Sequence, residues 1–222
     1  MKKLKGVIVP VALPIQQDYT LDQPALERLV RFLIRSGANG LFANGSMGAF
    51  ALLTDAVQME AINQVTALVG KQVPVLAGAS DTSTTRVIEK IRLIQQLDVD
   101  AIVLLPPYYY FYQQNELLRF FLNAADHAQK PLILYENPKL VPNSLSVETI
   151  VKLAEHPNIH GIKYSGADVL HWQELLRSPL PRERFALISV AGRMTGLALQ
   201  LVFDGITEGL HNMIPNVAGD LF

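Results

Sequence analysis

The segment His160-Gly161-Ile162-Lys163-Tyr164-Ser165-Gly166 places a lysine in the middle of a short, mainly apolar stretch. This composition is typical of a strand in a parallel sheet, where both faces are covered and the residues are almost all apolar. A buried ammonium is costly unless it has a function or a partner. We therefore interpret Lys163 as an amine nucleophile. The alternative is a lysine at a strand end whose head reaches solvent.

The composition indicates a single domain over residues 1–222 that binds neither nucleic acid nor membrane. Half of the residues are hydrophobic, only 18% are charged, and the formal net charge is -1. A surface for nucleic acid or anionic lipid would need a basic excess. No apolar run approaches the roughly 18 residues of a membrane span. The chain has no cysteine, which excludes disulfides and zinc–thiolate sites and fits a cytoplasmic protein.

Short apolar runs alternate with amphipathic helix patterns along the chain. Seven helix signals separate eight strand signals, at residues 7–13, 40–43, 73–77, 101–105, 132–135, 160–166, 185–190 and 206–210. Such alternation predicts a parallel sheet. Eight units that close on themselves form a (β/α)8 TIM barrel, and a doubly wound open sheet is the competing arrangement. The open sheet is disfavoured because no G-x-G-x-x-G follows the first strand.

The eighth helix of the predicted barrel is only begun, at residues 216–222. Barrels of this class typically need about 250 residues. We therefore expect a barrel that is incomplete at its eighth helix.

Polar residues follow several of the predicted strands, at the end where a barrel carries its functional loops. The second strand is followed by Asn44-Gly45-Ser46-Met47-Gly48-Ala49, and the fifth ends in Tyr135-Glu136-Asn137-Pro138. Lys163 lies on the sixth strand and Glu208 on the eighth. A lysine, a tyrosine and a hydroxyl residue on one rim suggest Schiff-base chemistry.

A Schiff base forms when a neutral amine attacks a ketone or an aldehyde. Burial lowers the pKa of a lysine and so raises the neutral fraction of its amine. A phenol such as that of Tyr135 can move protons while the intermediate collapses and a carbon–carbon bond breaks. The glycines of loop 45–48 allow backbone N–H groups to approach a substrate carboxylate.

These motifs resemble the dihydrodipicolinate synthase / N-acetylneuraminate lyase family of class I aldolases, in register over nearly the whole chain. The matching elements are Gly45-Ser46-Met47-Gly48, Pro107-Tyr108-Tyr109, Tyr135 with Asn137-Pro138, and Gly161-Ile162-Lys163 with Ser165-Gly166. The resemblance implies a TIM barrel and a Schiff base between Lys163 and pyruvate or a related 2-keto acid, without a separate cofactor. It also implies that Tyr135 is the proton shuttle and that Ser46 relays to it. Tyr109 would reach into a neighbouring subunit's site, in a homodimer or homotetramer.

The chain departs from the family pattern at positions that would contact substrate. Met47 replaces a hydroxyl residue, Ala49 replaces a glutamate, and Glu208 stands where a small hydroxyl residue is usual. We expect Met47, Gly48 and Glu208 to bind substrate. Synthases of the lysine pathway carry an arginine shortly after the tyrosine motif, where this chain has Lys139-Leu140-Val141. The family also continues into a C-terminal helical extension, so we expect a truncated member.

The favoured function is a carbon–carbon lyase acting on a 2-keto-3-deoxy sugar acid, because the synthase arginine is absent. The alternatives are a dihydrodipicolinate synthase-like or dehydratase activity, or a non-catalytic truncated member. Tyr109 could instead belong to an aromatic wall, and Ser46 could be a turn residue. No metal site is expected, because the histidines lack metal-binding spacing. His156 and His160 are separated by Pro157, which breaks a helix.

Overall fold

Eight parallel strands close into a barrel in the computed structural model, which describes residues 2–166, 168–190 and 192–214. The strands are β1 (Gly6–Pro10), β2 (Gly40–Ala43), β3 (Val75–Gly78), β4 (Ala101–Leu104), β5 (Leu132–Glu136), β6 (Ile159–Tyr164), β7 (Ala186–Ser189) and β8 (Gly205–Ile206). Each strand pairs with the next along the chain, and β8 returns to β1 through the pairs Gly205–Gly6 and Ile206–Val7. This closure confirms the predicted (β/α)8 barrel and excludes the open sheet.

Helices connect successive strands on the outside of the barrel. They are α1 (Gln23–Arg35), α2 (Asp55–Val69), α3 (Thr84–Ile94), α4 (Gln114–His127), α5 (Val147–Ala154), α6 (Val169–Arg177) and α7 (Thr195–Gln200). Side-chain caps fix several of their first turns. For example, the Ser146 hydroxyl accepts a hydrogen bond from the Thr149 N–H at the start of α5, at 3.2 Å.

The sequence pattern predicts Asp55 as the cap of α2, and this prediction is wrong by one residue. Asp55 is the first helical residue, and the hydroxyl of Thr54 accepts the capping hydrogen bond from Val57 N–H. The Asp55 carboxylate instead forms an ion pair with Lys90 of α3, at 3.1 Å. The cap therefore lies one residue earlier than the charge pattern indicates.

The alternation of side chains along each strand sorts the core into two apolar layers. Side chains such as Val7, Leu41 and Ile162 pack outward against the helices. A separate cluster that includes Phe42 and Ile188 fills the interior of the barrel. Successive residues of a strand point to opposite faces. Lys163, next to outward-facing Ile162, therefore points into the barrel.

The eighth strand is shorter than predicted. It ends at Ile206, and a 3₁₀ turn follows at Gly209–Asn212, so Glu208 lies between the two on the barrel rim. The eighth helix signal, at residues 216–222, lies outside the described residues. None of the helices within the described ranges is long and apolar enough to span a membrane.

Candidate active site

Lys163 lies inside the barrel with only 5% of its surface exposed. Its Nζ stands 3.4 Å from the ring centroid of Tyr135 and 5.7 Å from that of Phe42. Burial lowers the pKa of Lys163, and the negative charges of Tyr135 and Glu208 act in the opposite direction. The lysine head is thus withdrawn from bulk solvent, in surroundings that favour the neutral amine a nucleophile needs.

Tyr135 is the neighbour of Lys163 on the adjacent strand, since the two residues pair in the register of β5 and β6. Burial raises the pKa of the phenol, but the Lys163 ammonium and the nearby hydroxyls of Ser165 and Ser46 outweigh it and lower the pKa to about 8. The Asn137 side-chain amide also donates to Tyr135 Oη, at 3.1 Å. A phenol with this pKa can both accept and return a proton near neutral pH.

Two hydroxyls beside this pair, those of Ser46 and Ser165, are buried close to the Tyr135 phenol but form no hydrogen bond of good geometry with it or with any other described residue. Leaving a buried polar group unpaired costs about 1–3 kcal/mol, so native proteins avoid it. Unpaired hydroxyls beside a lysine and a tyrosine are suited to binding the oxygen atoms of a ligand.

A cavity of about 370 Å³ opens above Lys163 at the carboxyl ends of the strands. It brings together five of the residues predicted from sequence, namely Lys163, Tyr135, Ser46, Met47 and Glu208. The other lining residues are Pro10, Phe42, Asn137, Lys139, Leu140, Ser165, Val190 and Gly209. The volume suits a small metabolite.

Two of the predicted site residues lie outside this cavity lining. Gly48 is buried, and a side chain there would meet Leu13 at 3.0 Å. Tyr109 is 78% exposed and has a positive φ of 118°, a strained conformation for a residue with a side chain. Within one chain, Tyr109 does not reach the cavity.

A buried network holds the loop that carries Ser46, and sequence reasoning missed it. The Gln58 side-chain amide donates to the carbonyls of Phe50 at 2.9 Å and Leu53 at 3.1 Å. Its carbonyl oxygen accepts from Asn44 Nδ2 and Lys90 Nζ, both at 3.1 Å. Gln58 therefore ties both ends of the loop to α2. A glutamine on the buried face of a helix is the signal that could have indicated this role.

Phe42 was also missed, because an apolar residue inside a strand gives no functional signal in a sequence. No group of three or more His, Cys, Asp or Glu residues that could hold a metal ion occurs in the described part of the chain.

Glu136 gives the protein an expected pH-dependent stability. Burial raises its pKa from 4.5 to about 7, although Leu145 N–H, at 3.0 Å from Oε2, and the Ser144 hydroxyl lower it. The folded state thus binds this proton more tightly than the unfolded chain does. The resulting stability is complete below about pH 4.5 and is lost as pH rises through about 7. The loss amounts to roughly 3 kcal/mol.

Substituting Glu136→Gln keeps an acceptor for Leu145 N–H and removes the titration. We expect the urea midpoint of the variant to change much less between pH 5 and pH 8 than that of the wild type. Glu148→Gln, at an exposed position of α5, is the matched control. Parallel pH profiles for Glu136→Gln and the wild type would contradict the assignment.

Comparison with known proteins places the chain among enzymes of one family. A family model described as "Dihydrodipicolinate synthetase family" matches residues 3–222. A 4-hydroxy-tetrahydrodipicolinate synthase of Stenotrophomonas maltophilia is 30% identical over 212 residues, which cover 96% of this chain and 71% of the relative. A probable 2-dehydro-3-deoxy-D-pentonate aldolase of Escherichia coli is 33% identical over 179 residues, 80% of this chain and 60% of the relative.

The fold is also similar to solved structures. A prophage protein of the dihydrodipicolinic acid synthase family from E. coli K12, in complex with pyruvate, superposes with a TM-score of 0.94 at 30% identity. The match covers 98% of this chain and 74% of that protein.

Proposed function

We propose, since the chain belongs to the dihydrodipicolinate synthetase family, that it is a class I lyase whose Lys163 forms a Schiff base with pyruvate or a related 2-keto acid. The observation that carries the proposal is the buried Lys163 Nζ, 3.4 Å from the ring centroid of Tyr135 inside a cavity. The solved relative that holds pyruvate supports the choice of keto acid.

The reaction begins when neutral Lys163 attacks the keto carbon. Tyr135 donates a proton to the carbinolamine oxygen, water leaves, and an iminium forms. The iminium then accepts the electron pair of the bond between carbons 3 and 4 of the keto acid as that bond breaks, which gives the enamine of pyruvate. The departing fragment becomes an aldehyde when its hydroxyl proton passes to the Tyr135 phenolate, with Ser46 as the relay. Tyr135 then protonates the enamine carbon, and water adds to the resulting iminium, which releases pyruvate and restores Lys163 without a separate cofactor.

The substrate carboxylate would bind at the 3₁₀ turn Ser46–Gly48. Gly48 N–H already donates to the Gly45 carbonyl at 3.0 Å. The N–H groups of Ser46 and Met47 have no such partner among the described residues, so we propose them as the donors to the carboxylate. Gly48 then contributes by leaving room for Leu13 behind the turn.

The favoured substrate is a 2-keto-3-deoxy sugar acid. Lys139 and Leu140 lie at the cavity, where the sequence lacks the arginine of the lysine-pathway synthases. The similarity to the pentonate aldolase supports this choice. A synthase-like activity is the second candidate, because a 4-hydroxy-tetrahydrodipicolinate synthase is similar to a comparable degree.

A cytoplasmic location, expected from the lack of cysteine, stays a prediction.

Borohydride reduction in the presence of pyruvate tests the proposal. We expect one reduced pyruvate adduct at Lys163, and release of pyruvate from a 2-keto-3-deoxy sugar acid. An adduct accompanied by a dehydrated product and no aldehyde would indicate a dehydratase. A folded protein that forms no adduct would exclude Schiff-base chemistry.

We further propose that the chain works as a homo-oligomer in which Tyr109 completes a partner's site. Exposed aromatic residues follow it in the chain, namely Tyr110 and Phe111, and the Tyr110 ring lies against that of Tyr109 with centroids 4.9 Å apart. Exposed apolar side chains grouped in this way are typical of an interface.

Replacing Tyr109 by alanine should weaken self-association and lower kcat, because it removes a large ring from the interface. Sedimentation velocity over a range of protein concentrations measures the association. Tyr19→Ala is a close control, since Tyr19 is 76% exposed and also has a positive φ, of 65°. A wild type that stays monomeric at every concentration, or an equal effect of both variants, would refute the interface.

A further inference from the structure

Glu208 carries the negative charge that faces Lys163 across the cavity. It lies on the rim between β8 and the following 3₁₀ turn, and its side chain is half-buried. Burial raises the pKa of the Glu208 carboxyl and lowers that of Lys163, and each of the two charges opposes the shift of the other group. A carboxyl group is thus built into the same cavity as the nucleophile.

Gly192 fixes the position of this carboxylate. Gly192 N–H donates to it, and a Cβ on Gly192 would lie only 1.9 Å from Glu208 Oε2. A residue with any side chain at position 192 would therefore displace Glu208. The absence of a side chain at Gly192 therefore leaves the space that the Glu208 carboxylate occupies.

Met47 makes a similar contact on the same side of the cavity. A Cβ on Gly209 would lie 2.5 Å from the Met47 sulfur, so the thioether packs directly on the Gly209 backbone. Met47 and Glu208 are both positions at which the sequence departs from the family pattern. Both side chains line the cavity beside Gly209, so these two departures lie on one wall of the cavity.

The chemistry of the wall favours a ligand that donates hydrogen bonds. The ionised carboxylate of Glu208 only accepts hydrogen bonds, and Gly192 N–H donates to one of its several lone pairs. Hydroxyl groups of a ligand can donate to the remaining lone pairs. A carboxylate on the ligand would instead be repelled by the like charge of Glu208 in a partly desolvated site. Lys139 also lines the cavity, but its side chain is exposed to solvent, which screens its charge.

We propose that Glu208 selects the aldehyde half of the substrate, by binding the hydroxyl groups of a neutral, polyhydroxylated aldehyde and rejecting an aldehyde that bears its own carboxylate. The inference rests on the proposed function, because it presupposes the pyruvate adduct on Lys163. It goes further in assigning the choice of the second substrate to one residue and its glycine partner.

The test compares aldol addition of pyruvate to glyceraldehyde, a neutral hydroxylated aldehyde, with addition to anionic glyoxylate. The ratio of the two kcat/KM values is measured for the wild type, Glu208→Gln and Glu208→Ser. We expect the ratio to favour glyceraldehyde in the wild type and to fall by about tenfold or more in both variants. The fall should come from the aldehyde KM, while pyruvate trapping by borohydride continues. Glu183→Gln, an exposed acid in the loop before β7, should leave the ratio unchanged.

The outcomes distinguish this inference from the proposed function on which it rests. A wild type that traps no pyruvate overturns the proposed function and this inference together. Trapping with an unchanged ratio in both Glu208 variants overturns the role of Glu208 alone. A wild-type preference for glyoxylate that disappears in Lys139→Gln would assign the selection to Lys139 instead. Circular dichroism of each variant verifies folding, and the near-isosteric glutamine keeps the test valid if the serine variant does not fold.

Discussion

Lys163→Ala should abolish the borohydride-trapped pyruvate adduct and lower turnover by at least about 10⁴-fold. The amine is the only group in the described cavity placed to form a Schiff base, since the other lining lysine, Lys139, is exposed. Intact-mass measurement after reduction detects the adduct, and pyruvate release measures turnover. Lys152→Ala, an exposed lysine of α5, should keep both signals.

A stability measurement distinguishes loss of the nucleophile from unfolding of the variant. Burial disfavours the Lys163 ammonium, so a charged Lys163 destabilises the folded state. An apolar chain of similar length, as in Lys163→Met, relieves that cost, and we expect the melting temperature to stay equal to or rise above that of the wild type. An adduct that persists in either inactive variant would place the nucleophile elsewhere.

Tyr135→Phe should lower turnover by about 10²–10⁴-fold, the usual contribution of a positioned acid–base group. The substitution keeps the ring that packs 3.4 Å from Lys163 Nζ and removes only the proton-carrying oxygen. Borohydride reduction of samples taken at timed intervals measures the rate of adduct formation. Tyr164→Phe is the control, because Tyr164 is buried on the neighbouring strand but packs outward in the layer beneath the helices.

The pH profile tests the role of Tyr135 as a proton donor. Its phenol has a pKa of about 8 and must be protonated to donate to the carbinolamine oxygen, so adduct formation in the wild type should decrease as pH rises above about 8. Tyr135→Phe should lose this decrease, because no group at position 135 then titrates. A variant profile that keeps the wild-type decrease near pH 8 would contradict the assignment.

Local patterns in the sequence were sufficient to predict the barrel. Helix α5 could be placed from residue 147 to 154, because Ser146 caps it and its apolar residues recur at helical spacing. Lys163 could be selected as a candidate nucleophile because a charge in a buried strand conflicts with its surroundings. Features of this kind are encoded within a few residues of chain.

Contacts between distant segments could not be predicted in the same way. The link between Gln58 and Asn44 and the fit of Glu208 against Gly192 depend on how strands and loops meet in space. The shortness of β8 has a similar origin. Residues 206–210 have the composition of a strand, but pairing with β7 and β1 ends at Ile206 and the chain turns away.

Residues 135 and 136 point to opposite faces of one strand, and each sets its own upper limit of pH. The inward phenol can donate a proton only while it keeps one, below about pH 8. The outward carboxyl favours the folded state while it keeps its proton, below about pH 7. The rate of adduct formation and the heat resistance should therefore both decline as pH rises above neutrality, and a slightly acidic buffer should preserve both.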